Sequence, residues 1–104
     1  MDFSQAITLK DSIGYAAGAT VSKIVTKNKC GSATLFSFDK GQTLSEHTAP
    51  FDALVMVLEG TCEISLAGKP NVLSEGQMIL MPAHIPHALE ATEAFKMMLI
   101  MIRA

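Results

Sequence analysis

The chain is poor in several things that would point to particular functions. It has no tryptophan, one tyrosine and five phenylalanines, so it lacks the aromatic platform on which single-stranded bases stack. Eight lysines and arginines against ten acids leave a net charge of −2, and the basic residues nowhere cluster. A nucleic-acid partner is therefore not expected. Two cysteines do not make a disulfide framework. Cys30 lies in the turn-like KNKCGS and Cys62 in a strand-like run, and both read as free thiols of a reducing compartment. The longest apolar runs, ALVMVL at 53–58 and MMLIMI at 97–102, are far short of the ~20 residues that cross a bilayer. The opening MDFSQAITLKD carries an acid at position 2 and no apolar core, unlike a secretory signal. The expected setting is cytoplasmic, without a membrane. No glycine-rich phosphate loop and no Ser–His–Asp constellation is visible.

What the chain does have is apolar bulk and turns. It is 104 residues long, 49% hydrophobic and 17% charged, against a usual charged share of about 25%. That length makes one domain. Turn signals recur every eight to twelve residues: NKCG, DKG, EG, AGKPN, SEG, the proline-bracketed PAHIP and ATEA. Between them stand short runs rich in Val, Ile, Leu, Thr and Phe, and no segment of ten residues keeps a helical period. This spacing predicts an all-β sandwich or barrel. The segment TLKDSIGY near the start is expected to form one or two helical turns at most. In TCEISLA, Cys62, Ile64 and Leu66 share one face and Thr61, Glu63 and Ser65 the other, so that strand is wet on one side. DALVMVL and MMLIMI are apolar on both faces, which means both faces are covered. Either the N-terminal segment 1–20 folds across the barrel, or a second copy packs on it. A homodimer joined sheet on sheet is the expectation.

Three histidines remain to be placed. His84 and His87 lie in MPAHIPHAL, and His47 lies in SEHTAP. Residues 41–60, GQTLSEHTAPFDALVMVLEG, resemble the first cupin motif, with Gly41 and Gly60 on its glycines and His47 on its first histidine. Residues 76–91, GQMILMPAHIPHALEA, resemble the second, matched at Gly76, Pro82 and His87. The resemblance implies a small single-domain cupin, a double-stranded β-helix or jelly-roll barrel spanning 1–104. It also implies a metal position, normally held by three histidines and a glutamate. Here only His47 and His87 stand on that set. Ala49 and Ala53 replace the other two ligands, His84 replaces a glycine and Ala91 an asparagine.

The residues themselves support a reduced site. Positions 47, 49 and 53 share parity and point into the barrel, and His87 begins a strand alongside. Two imidazoles then meet in an apolar hollow formed with Ala49, Ala53 and Ala91, with Val55 or Val57 deeper. A stable transition-metal site usually needs three protein ligands, so His47 and His87 alone would hold a divalent metal (Zn, Fe, Mn or Ni) weakly. His84 has the opposite parity to His87 and is expected in a turn facing outward; as an inward third ligand it is the lesser alternative. Parity sends Glu46, Asp52 and Glu90 to the outer rim. Cys62 and the methionines read as core filler. Three functions follow: a module binding a small molecule between His47 and His87, a metal-dependent enzyme of dioxygenase or isomerase type, and a barrel that binds a partner protein. The first is preferred.

Overall fold

The computed structural model describes residues 3–103 and contains nine strands and a single 3-10 turn, Leu9–Asp11. The strands are β1 (Thr20–Asn28), β2 (Gly31–Phe38), β3 (Thr43–His47), β4 (Asp52–Glu59), β5 (Thr61–Leu66), β6 (Lys69–Ser74), β7 (Met78–Met81), β8 (His87–Glu90) and β9 (Phe95–Ile102). They form two antiparallel sheets, ordered β1-β2-β9-β4-β7 and β3-β8-β5-β6. The chain is all-β, as the turn spacing predicts. Two strands go beyond the sequence reading: β3 was recognisable only inside a motif, and β6 covers much of what reads as a turn around AGKPN. Pro70 is tolerated there because β6 is an edge strand, where a missing N–H removes no interior ladder bond.

Alternation along β4 and β5 divides the molecule into an inside and an outside. Phe38, Val55, Val57, Cys62, Ile64, Leu73, Phe95 and Met97 fill the space between the sheets. The Phe38 and Phe95 rings stack at 4.8 Å, 7° from parallel. Gly60 makes the abrupt reversal between β4 and β5 with φ of +81°, and a Cβ there would stand 2.2 Å from the Ala94 carbonyl oxygen. Only glycine fits this corner.

The outer face of the five-stranded sheet explains the two-faced strands in part. Ile13 from the N-terminal segment is buried on Leu35 and Met98, with Leu9, Met56, Leu58 and Ile100 packed around them. This segment is also tied by polar contacts. Lys23 Nζ donates to the Ser12 carbonyl at 2.8 Å, Ser37 Oγ to the Gly14 carbonyl at 2.7 Å, and the Gly18 N–H to Asp39 Oδ2 at 2.6 Å. Lys96 is buried beneath it. Its ammonium donates to the Lys10 carbonyl, lies 3.8 Å from Glu59 and stands 5.0 Å above the centre of the Tyr15 ring. Tyr15 in turn donates to Glu59 Oε2 at 2.5 Å. Loss of solvent around the Tyr15 hydroxyl, and then its hydrogen bond to the Glu59 carboxylate, push its pKa upward, so it stays protonated through the neutral range. The cover is incomplete: Met78, Leu80 and Ile102 remain exposed on the same face.

Two substitutions check this account by urea unfolding. Ile13→Ala is expected to lower the unfolding free energy by about 2–4 kcal/mol, as for a buried aliphatic truncation. Gly60→Ala combines a positive φ with a backbone clash and is expected to cost about 2 kcal/mol or more.

Candidate functional site

The site is built by the pairing of β3 with β8. Thr43 lies opposite Glu90 and Leu44 opposite Leu89; a bulge then resets the register so that His47 faces His87. An extra residue in one strand re-aims the side chain that follows. Without it, His47 and Leu44 would point to opposite faces. With it, both line one cavity of about 250 Å³. The rest of the wall is Ala49, Phe51, Ala53, Val55, Met81, Ala88, Leu89, Met97, Leu99 and Met101, all apolar.

The two imidazoles are in direct contact. Their Nε2 atoms are 3.1 Å apart, their ring centres 4.3 Å, and the rings are inclined at 69°. His87 is buried and His47 exposed, so the pair stands at the mouth with one ring inside and one in solvent. Each far nitrogen is engaged by the backbone two residues earlier: His47 Nδ1 meets the Ser45 carbonyl at 2.8 Å, and His87 Nδ1 meets the Ile85 carbonyl at 3.2 Å. A carbonyl oxygen only accepts, so both Nδ1 atoms carry hydrogen, an assignment made from the bonding network.

The turn at 82–86 holds His87 in place. The Ala83 N–H donates to Asp52 Oδ1 at 2.8 Å and the His84 N–H to the Ala49 carbonyl at 2.8 Å, which pins the turn across the cavity mouth. Asp52 thus fixes the turn; its carboxylate is no part of the cavity wall. His84 adopts φ of +67°, the left-handed conformation the glycine of the motif would take, and its side chain is exposed and outside the cavity lining. Glu46 and Glu90 are exposed and also outside it. Ala91 is a correction. It is buried at 1% exposure in the core but is absent from the cavity wall, because its backbone closes a loop with Gly41 and Gln42 beyond the end of β8. Val55 lines the cavity and Val57 lies in the core beyond it.

What sequence reasoning missed is the methionine wall. Met97, Leu99 and Met101 project inward at every second position of β9, and Met81 joins them from β7. The doubly apolar pattern of MMLIMI predicts two sheltered faces, but not that one of them borders a hollow.

Residues 34–103 match the cupin domain family, more than half of the chain. The chain belongs to the cupin family. Among solved structures, this cupin is 35% identical to a conserved protein of unknown function from Streptococcus pyogenes, with TM-score 0.94 over all of this chain and 91% of that one. It is 43% identical to a cupin 2 conserved barrel domain protein from Leptotrichia buccalis, with TM-score 0.88, covering 91% of this chain and 46% of that longer one. A cupin superfamily protein from Desulfitobacterium hafniense is 25% identical with TM-score 0.91, covering 96% and 92%. No curated protein matches the chain. The described residues include no helix long and apolar enough to cross a membrane.

Do the residues suit the metal that cupin motifs imply? The 3.1 Å separation of the Nε2 atoms suits two nitrogens each about 2.0–2.1 Å from a shared ion. The remaining ligand positions are the methyl groups of Ala49 and Ala53. Among the described residues no group of three or more His, Cys, Asp or Glu could hold an ion. The donor set therefore does not fit a tightly held resident metal.

Cys62 supplies a check on the interior. Burial pushes its thiol from an ordinary 9.0 up to about 12, so it stays a weak nucleophile. At about pH 8, a disulfide reagent is expected to modify exposed Cys30 alone in the folded protein, and both thiols in denaturant. The raised value also sets a sign: the folded state keeps a proton that the unfolded chain releases, so Cys62 destabilises the fold increasingly as pH climbs from 9 towards 12. In denaturant titrations across that range, Cys62→Ala should flatten the decline.

Proposed function

We propose that this cupin is a binding module that holds a small, mostly apolar molecule in the barrel, with His47 and His87 meeting its polar end. One observation carries the reading: a cavity of about 250 Å³ whose wall is apolar except for two imidazoles in mutual contact. Concave apolar sites with few, convergent polar groups are the usual form of small-molecule sites. A metal-dependent dioxygenase or isomerase is the weaker reading. Ala49 and Ala53 replace two metal ligands, and no carboxylate reaches the cavity wall to serve as an acid or base. The Nε2 spacing favours a second, limited possibility, in which a weakly held Zn, Fe, Mn or Ni ion on His47 and His87 arrives with the ligand.

The same reading includes a homodimer. Met78, Leu80 and Ile102 are exposed beside half-buried Leu54, Met56 and Ile100 on one sheet face, and contiguous apolar patches on monomers are generally small. A second copy packed there would cover what the N-terminal segment leaves open. A partner protein on that face is the third reading.

Calorimetry with propylbenzene tests the cavity: it should bind the wild-type protein and fail to bind Ala49→Phe, whose ring fills the hollow. Binding unchanged in that variant would place the ligand elsewhere. Mass-spectrometric metal analysis of untagged protein should find far less than one equivalent; near-stoichiometric metal, lost in His47→Ala and His87→Ala, would favour the enzyme. Light scattering should give a dimer that Leu80→Glu converts to monomer, and a wild-type monomer would refute it.

A further inference from the structure

The histidine pair presents only acceptors to the cavity, and this selects the chemistry of what enters. Three close polar contacts involve the two rings: His47 Nδ1 with the Ser45 carbonyl, His87 Nδ1 with the Ile85 carbonyl, and Nε2 with Nε2. Two neutral imidazoles bring two ring hydrogens, and both are already committed to carbonyl oxygens. With the Nδ1 hydrogens so assigned, both Nε2 atoms offer lone pairs, which face each other across 3.1 Å. A group that brings its own hydrogen relieves this opposition. A carboxylate or carbonyl, which only accepts, adds to it.

The apolar wall narrows the frame that carries this hydrogen. An enclosed cavity of about 150 Å³ admits a benzene ring; scaled from that, about 250 Å³ admits roughly ten non-hydrogen atoms. Apart from the histidines no polar side chain lines the hollow, so the several hydroxyls of a carbohydrate would enter unpaired. The thioethers of Met81, Met97 and Met101 border the space together with Phe51. Sulfur favours the edges of aromatic rings, and methionine adjusts to flat shapes.

We infer that the ligand is a phenol or enol, a compact ring system of about ten non-hydrogen atoms whose weakly acidic hydroxyl donates to the paired Nε2 atoms of His47 and His87. This rests on the binding reading above and names its ligand class. The hydroxyl enters beside exposed His47, and the ring lies along β9.

The test is calorimetry on the full chain, treated with EDTA to remove any bridging ion, at about pH 8. The probes are 4-propylphenol, propylbenzene, 4-propylanisole, phenylacetate and glucose. 4-Propylphenol should bind about tenfold tighter than propylbenzene or the anisole, the effect of one added hydrogen bond. Phenylacetate should bind no better than propylbenzene, and glucose should give no heat. His47→Ala should abolish the phenol's advantage over propylbenzene and the anisole, read as the ratio of affinities within that variant; because His47 is exposed, this variant keeps the fold, and His87→Ala should repeat the result if it folds. Propylbenzene binding with no gain from the hydroxyl would overturn this inference and leave the binding module standing. Phenylacetate binding as tightly as the phenol would overturn it too, by showing that the pair donates. If no probe binds, the inference and the binding reading fall together.

Discussion

Every feature of the site depends on β3 lying antiparallel to β8 with a bulge between Leu44 and His47. Strand pairing alone places residues opposite one another. The bulge decides which face they use, and here it turns His47 towards His87. Backbone carbonyls at Ser45 and Ile85 then fix the ring orientations, since each imidazole is anchored by the residue two positions before it. No remote residue has to be recruited. The anchors come from the same strand and turn that carry the rings, so the geometry of the pair is a local consequence of the ladder and of the pinned 82–86 turn.

The apolar interior has a separate origin. β4 and β9 are apolar on both sides, and the fold covers each side differently. Inside, the second sheet packs on Val55, Val57 and Met97 until the wall opens into the cavity. Outside, Ile13 and its neighbours are drawn down by contacts with Lys23, Ser37 and Lys96. A lysine buried in β9 looks out of place in FKMMLIMI. It lies opposite Glu59 and Ser37 in the register, on the face where the N-terminal segment supplies carbonyls and the Tyr15 ring. The charge is thus met by polar groups before it is shut away from water.

Much of this was legible in the residues. Alternation in TCEISLA separated a wet face from an apolar one, DALVMVL and MMLIMI marked strands sheltered on two sides, and turn residues at short intervals excluded a helical fold. Motif positions brought His47 and His87 to one place, and the parity of His84 put it in an outward-facing turn. Other features were hidden for physical reasons. KPNVLS carries a proline and reads as a turn, yet an edge position removes the penalty. Ala91 shares a strand-like run with His87, but the chain leaves the ladder at Glu90 and its methyl turns into the core. Asp52 looked like a rim charge, whereas its carboxylate caps a backbone N–H thirty-one residues away. Contacts of this kind depend on register between distant strands, and composition carries no trace of them.

Pro70 has an effect beyond its own strand. β6 ends its sheet, and a free border of backbone N–H and C=O groups is a template on which another polypeptide can add itself. The pyrrolidine ring removes one donor from that border, and neighbouring Lys69 sets a charge beside it. For a chain half of whose residues are greasy, such a blunted margin is a poorer template for strand-to-strand addition at that end of the sheet.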